Sequence, residues 1–321
     1  MRRTARIGLH AVVVGLREGE PAIATVPSHD GPSLPFGPFD PERHPTLDQA
    51  LRAFASEQTG LRLGFVEQLY TFGDAARRAP DGTPLVSIGY LALVGAPPPN
   101  APDAGRWSRW YDHFPWEDRR GGVPAELVHD LLPALARWVA RAPDERRHGA
   151  ALRRQDRFAV AFGCGHDEPD AFATASADEE KVLERYELLY EAGLVPEAGR
   201  DRSDSDVSTA GGRPMPEDHR RILATAMARL RGKLKYRPVV FELLPEHFTL
   251  TELQTTVEAL SGRRLHKQNF RRSVQQSQLV EATGATASGT GGRPAALFRF
   301  RRSVLTERPA AGFRIAPAGR S

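Results

Sequence analysis

Short apolar runs alternate with polar stretches through the first hundred residues. Residues 9–14 and 85–94 are rich in β-branched side chains and read as buried strands, and 63–72, ending at Gly73-Asp74, has the same character. Between the first of these and 63–72 the period changes. Leu47, Leu51, Phe54 and Ala55 share one helical face, Thr46 suits an N-cap and Gly60 a stop, which predicts a helix from about residue 47 to 58. Strand, helix and further strand predict a mixed α/β domain.

The pattern breaks at 95–104, where prolines cluster, and an aromatic group follows: Trp107, Trp110, Tyr111, Phe114 and Trp116. Helical spacing returns at about 124–141 and 178–193, the latter through Val182, Tyr186 and Leu189. Residues 197–213 are polar and are expected to form a mobile loop. The reading is an insertion, mostly helical, over 96–212, in a domain that begins with 1–95 and closes with a final helix within 213–237. Ile222, Ala226 and Leu230 form the apolar stripe of that helix.

A compact unit is expected over 238–302, with a tail at 303–321. Thr249 and Glu252 have the spacing of a capping box, opening a helix with Leu253, Val257 and Leu260 inward and Gly262 as its stop. A second helix is predicted over 267–276 with Phe270 and Val274 inward, then two strands flanking a Gly/Thr/Ser loop at 284–292. Helix, turn, helix and hairpin make a winged helix-turn-helix.

Charge sharpens this picture. The 321 residues carry a formal net charge of +4, but 214–302 hold 16 Lys+Arg against 7 Asp+Glu, leaving 28 basic and 33 acidic residues elsewhere. Concentrated basic charge suits a polyanion. No run reaches the roughly 18 apolar residues of a membrane span, and the first residues do not resemble a signal peptide. The single Cys164 excludes an internal disulfide framework and a multi-cysteine zinc site. No membrane partner is expected, and a cytoplasmic protein is.

The second helix of the C-terminal unit has the composition of a recognition helix. Lys267, Gln268, Asn269, Arg271, Arg272 and Gln275 are polar, and only Phe270 and Val274 supply a buried side. Gln and Asn match adenine edges and Arg matches guanine in the major groove, while Lys and Arg also meet phosphates. Arg293, in the predicted wing, is placed to enter a minor groove. A homodimer is expected, because a single small module makes few base contacts.

Residues 229–236, 241–245 and 248–254, with Asn269-Phe270-Arg271-Arg272 and Gly292-Arg293-Pro294-Ala295, resemble the Nudix-related transcriptional regulators of NrtR type. Residues 65–74 resemble the same family, and the long aromatic insertion looks closer to the NadQ-type repressors of NAD biosynthesis. The resemblance is dense over 215–302, good over 5–94 and poor over 96–212. It implies an α+β chain: a Nudix-like α/β/α sandwich with a helical insertion, then a winged helix-turn-helix.

Nudix hydrolases resemble one another through a helix whose clustered carboxylates hold Mg²⁺ against a pyrophosphate. Aligned on Thr59-Gly60-Leu61, this chain has Ala53 and Phe54 for the expected Arg-Glu, and Glu57 and Gln58 for Glu-Glu, while Pro45 replaces an upstream Glu. An amide or a phenyl ring cannot replace an anionic ligand, so no hydrolysis, bound metal or required cofactor is expected.

The resemblance implies a retained pocket for ADP-ribose, NAD or ATP. Tyr70, Phe72 and Tyr90 are candidates to stack on a base, Arg77 and Arg78 to meet phosphate, and Glu57 to contact the ligand. The resulting expectation is a repressor of NAD metabolism genes that binds a double-stranded DNA operator under control of an adenine nucleotide effector. One rival is a divergent Nudix hydrolase using Glu57 with carboxylates such as Glu67. Another is an interaction module whose winged unit binds protein. Gly163-Cys164-Gly165-His166 offers too few ligands for a metal.

Overall fold

The computed structural model describes residues 5–73, 77–79, 81–95, 106–141, 153–164, 178–202, 211–287 and 294–304. Contacts divide the chain into two compact units, one of residues 1–110 with 239–246 and the other of 111–238 with 247–321.

The first unit is built on a mixed sheet. Strand β1 (Arg6–Arg17) turns at Glu18-Gly19, where both residues have positive φ, and returns as β2 (Glu20–Ser28). The short strands β3 (Gly31–Ser33) and β4 (Phe36–Pro38) follow, then helix α1 (Leu47–Thr59), β5 (Val66–Phe72), β6 (Leu85–Leu93) and β7 (Arg106–Arg109). Strand order is β3-β2-β1-β6-β5, with β4 paired to β1 and β7 to β2, and among the described strands of this sheet only β1 and β6 pair in parallel.

Helix α1 has the predicted signals. Thr46 accepts a hydrogen bond from Gln49 N, and Gly60 closes the helix at φ 71°. Its buried side, Ala50, Leu51 and Ala55, meets alternate residues of the parallel pair: Leu9, Ala11 and Val13 from β1, Ile88, Tyr90 and Ala92 from β6. Leu47 and Phe54 are half-buried at the edge of that core. Trp107 lies against Gly15, where an added Cβ would come within 3.0 Å of the ring, and the Arg17 guanidinium stacks on it at 3.7 Å. Strand β7 thus belongs to the stretch expected to be mostly helical.

The second unit is mainly helical. It includes most of α2 (Trp110–His113), then a π-helical turn (Leu127–Leu131) running into α3 (Leu132–Ala140), followed by α4 (Arg154–Phe162) and α5 (Val182–Glu191). The polar segment expected to be mobile is instead helical at its start. Residues Pro196–Arg202 form α6, with proline at its first position and Glu197 buried, because Glu197 pairs with Arg220 at 3.0 Å and accepts the Met215 amide at 3.0 Å.

Helix α7 (His219–Leu234) has the predicted Ile222, Ala226 and Leu230 stripe but is buried over far more of its surface. Near its start the Arg220 guanidinium donates to His113 O and Gly211 O and lies over Phe114, Trp116 and Tyr186 at 5.1, 5.3 and 5.5 Å. Part of the aromatic cluster therefore packs around a buried cation.

The C-terminal elements of this unit are β8 (Phe248–Thr249), α8 (Leu250–Ser261), α9 (Lys267–Ser277), β9 (Val280–Thr286) and β10 (Ala296–Phe300), with strand order β8-β10-β9. The capping box is complete: Glu252 N donates to Thr249 Oγ1 at 3.1 Å, and Thr249 N donates to Glu252 Oε2 at 2.6 Å. Leu253, Val257 and Leu260 are fully buried, and Gly262 ends α8 in the left-handed region at φ 74°.

Candidate functional site

A helix-turn-helix reads DNA only if its second helix leaves the first at a fixed angle. Here the turn is closed by a side chain that the sequence pattern did not single out. Glu258, 5% exposed near the end of α8, accepts the Leu265 amide at 2.9 Å, Gln254 Nε2 at 2.9 Å and Arg264 Nη1 at 3.0 Å. Gln254 also donates to Leu265 O at 3.0 Å. A carboxylate at this position looks like ordinary surface charge in the sequence. Its burial depends on donors from its own helix and the turn beyond.

Phe270 and Val274 lock α9 inward at 5% and 1% exposure. The opposite side carries Lys267, Gln268, Asn269, Arg271, Arg272 and Gln275, all exposed, which is where the sequence pattern placed them. His266, at the N-cap, makes no side-chain capping bond, in contrast to Thr249 on α8. A helix start of this kind suits a phosphate oxygen, because its first amides have no partner within the helix. The wing is the antiparallel pair β9–β10, braced across strands by Arg299 Nε on Glu281 Oε1 at 2.6 Å. Arg293 lies outside the described residues.

The predicted ligand residues are in the first unit and face different environments. Tyr70 is 55% exposed on β5, whereas Tyr90 is buried in the sheet core with its hydroxyl donating to Gln68 Oε1 at 3.4 Å. Burial first, and Asp48 second, push the Tyr90 phenol above its ordinary value, so it stays neutral. Phe72 is buried, with the Arg77 guanidinium 5.6 Å from its ring centroid, and Arg77 Nη1 donates to Ser87 Oγ at 3.0 Å. Arg78 is exposed and donates to Gly82 O at 3.3 Å. Tyr90 and Phe72 thus serve the core, Arg77 lies beside Phe72, and Tyr70, Arg78 and Glu57 face outward.

The α1 positions that the alignment above sets against the Nudix helix make structural contacts here. Phe54 packs on Gly37, where an added Cβ would lie 3.0 Å from the ring. Gln58 uses both ends of its amide on Phe36, donating to its carbonyl at 2.8 Å and accepting from its N–H at 3.1 Å. Asp48 and Glu57 are both exposed on α1, and Asp48 is paired with Arg52 at 2.9 Å. A Mg²⁺ ion asks for several hard oxygen donors at one place, and these residues do not fit it.

The C-terminal unit is therefore a winged helix-turn-helix with an exposed polar recognition helix. Residues 240–300 match the family of NrtR DNA-binding winged helix domains. The ADPR responsive transcriptional repressor NtrR of Acinetobacter baylyi is 43% identical over 83 residues, which are 26% of this chain and 33% of that protein. The chain thus spans about a third of the length of that curated relative. Shewanella oneidensis NrtR, solved in complex with a 27mer DNA, matches over 94% of this chain and 95% of its own, at 20% identity and a TM-score of 0.51. A MutT/nudix family protein from Enterococcus faecalis matches over 94% and 88%, at 15% identity and a TM-score of 0.51. The chain thus shares the fold of these solved proteins, and its residues 240–300 are of the NrtR winged helix type.

Proposed function

We propose that this chain is a transcriptional repressor of NAD metabolism genes, a homodimer that reads a double-stranded DNA operator through α9 and the wing and senses an adenine nucleotide in its Nudix-like domain. The observation that carries this reading is the polar face of α9, presented over buried Phe270 and Val274, in a domain that matches a DNA-binding family. Arg271, Arg272 and Asn269 would contact base edges, and Lys267 a phosphate. ADP-ribose is the first effector to test, because the curated relative is an ADPR responsive repressor, and NAD and ATP come next. The protein would work beside its DNA in the cytoplasm, without hydrolysing the effector, since α1 carries Phe54 and Gln58 in structural roles.

The experiment is duplex binding at two salt concentrations, using DNA from upstream of the chain's own gene and of NAD-synthesis genes, with ADP-ribose, NAD and ATP titrated in. Selective binding is expected, shifted by one nucleotide and weakened about 5- to 150-fold by Arg271→Ala or Arg272→Ala if either contacts a base. Weak, salt-sensitive binding to every duplex, indifferent to these substitutions, would overturn the reading. Mg²⁺-dependent release of AMP from ADP-ribose would favour the hydrolase instead.

A further inference from the structure

The last carbonyls of a helix have no partner within it. At the end of α8 they are met from outside the motif. Tyr111 Oη donates to Ala259 O at 2.6 Å, Arg231 Nε to Leu260 O at 3.1 Å, and the Arg119 amide to Gly262 O at 2.7 Å. Two of these three donors belong to residues 111–119, far from the helix-turn-helix in sequence, and the third belongs to α7.

A buried carboxylate organises those donors. Glu117 accepts Arg185 Nε on Oε1 at 2.6 Å and Arg185 Nη2 on Oε2 at 2.9 Å, and Arg231 Nη1 on Oε2 at 2.6 Å. Arg231 also donates to the backbone carbonyls of Glu117 and Glu179. All three charged side chains are at most 4% exposed. Burial alone would raise the Glu117 carboxyl, but the two guanidiniums outweigh it and hold it below the usual range, so it is ionised. Burial keeps the Tyr111 phenol protonated, in the form that donates to Ala259 O. Gly262 completes the fit, since a Cβ there would lie 2.3 Å from Glu117 O.

We infer that Tyr111 and Glu117 are positioning residues for the DNA-reading motif: the 111–119 segment caps the end of α8 and so sets the direction in which α9 leaves it. This deepens, and rests on, the DNA-binding reading above. Buried ion clusters often add little net stability compared with apolar packing, and their clearest use is to fix one geometry among several. The turn has its own internal closure through Glu258. Loss of the cap should therefore loosen the angle of α9 without unfolding the motif.

The test uses the full chain as Tyr111→Phe and, separately, Glu117→Gln. Affinity is measured at one salt concentration for duplexes from upstream of its own gene and of NAD-synthesis genes, and for a scrambled duplex of equal length. Amide hydrogen exchange is followed across 259–274. For Tyr111→Phe, the loss of one hydrogen bond predicts about a fivefold to tenfold fall in selective affinity, with scrambled-duplex affinity within about twofold. Exchange should quicken by a similar factor in the turn and α9 only. Glu117→Gln should lower selective affinity more strongly, but it also strips Arg185 and Arg231 of their buried counter-charge and destabilises the surrounding core, so the exchange comparison rests on Tyr111→Phe. Unchanged selectivity with unchanged exchange, or faster exchange spread evenly over 111–304, would make these residues ordinary core and overturn the inference. If the unsubstituted chain fails to discriminate duplexes, it is the DNA-binding reading that fails. Exchange then still shows whether the 111–119 segment caps the turn.

Discussion

Replacing Glu258 by alanine removes the acceptor on which the turn between α8 and α9 closes. Its three partners are not of equal weight. Arg264 is 71% exposed, so that ion pair contributes at most about 0.5 kcal/mol. Gln254 keeps its bond to Leu265 O and loses about 1 kcal/mol. The Leu265 amide loses a charge-assisted bond, worth about 1.5–3 kcal/mol. The alanine variant should thus be destabilised by about 3 kcal/mol, which speeds exchange of the Leu265 amide roughly 100-fold if that amide opens locally. Glu258→Gln keeps an acceptor for Leu265 and should cost about 1 kcal/mol, while Arg264→Ala should leave exchange within about twofold. Amide exchange by mass spectrometry, with urea unfolding as a check, separates the three. Equal effects of the Gln and Ala variants, or an Ala cost below about 0.5 kcal/mol, would refute this account of the turn.

Gly262→Ala should be severe and Gly284→Ala mild. Both positions have left-handed φ, 74° and 80°, but only the first would drive its Cβ into neighbouring atoms. Thermal unfolding should show a loss of about 1 kcal/mol at 284 and more than about 3 kcal/mol at 262. A pH titration of stability should reveal His113. Burial lowers its pKa from 6.5 to about 4, and its Nδ1 pairs with Arg213 O at 2.9 Å. An unfolded chain takes up the proton first, so the stability this residue supplies is complete above pH 6.5 and lost as pH falls toward 4, by about 3 kcal/mol. His113→Asn should flatten that slope in urea unfolding at pH 4.5, 5.5 and 7, and an unchanged slope would show that His113 is not its source.

What could be read from the sequence was mostly local. The capping box at Thr249 and Glu252, the left-handed Gly262, and the Phe270–Val274 spacing each report on a few neighbouring residues, and each has its expected structural counterpart. The same is true of α1 and its caps. The residues that join distant parts of the second unit were not legible. Glu117, Arg185, Arg220 and Arg231 are charged residue types, and charge in a sequence argues for solvent unless a partner 20 or 100 residues away is known. For the same reason 197–202 looked like a loop. Its polar composition gave no sign that Glu197 would meet Arg220. Strand β7 is four residues long beside a proline-rich stretch, too short for alternation to show, and it exists through its register with β2.

Helix α7 carries a buried guanidinium near each end, Arg220 held by Glu197 and Arg231 by Glu117, eleven residues or about 16 Å apart. A rod anchored at one end can swivel or creep. One anchored at both ends can do neither without stripping a buried cation of its counter-charge, a cost of about 3–5 kcal/mol. Within its unit, α7 therefore has no backlash. A displacement at the Arg220 end would load the Arg231–Glu117 pair and, through Arg231 Nε, the Leu260 carbonyl at the end of α8.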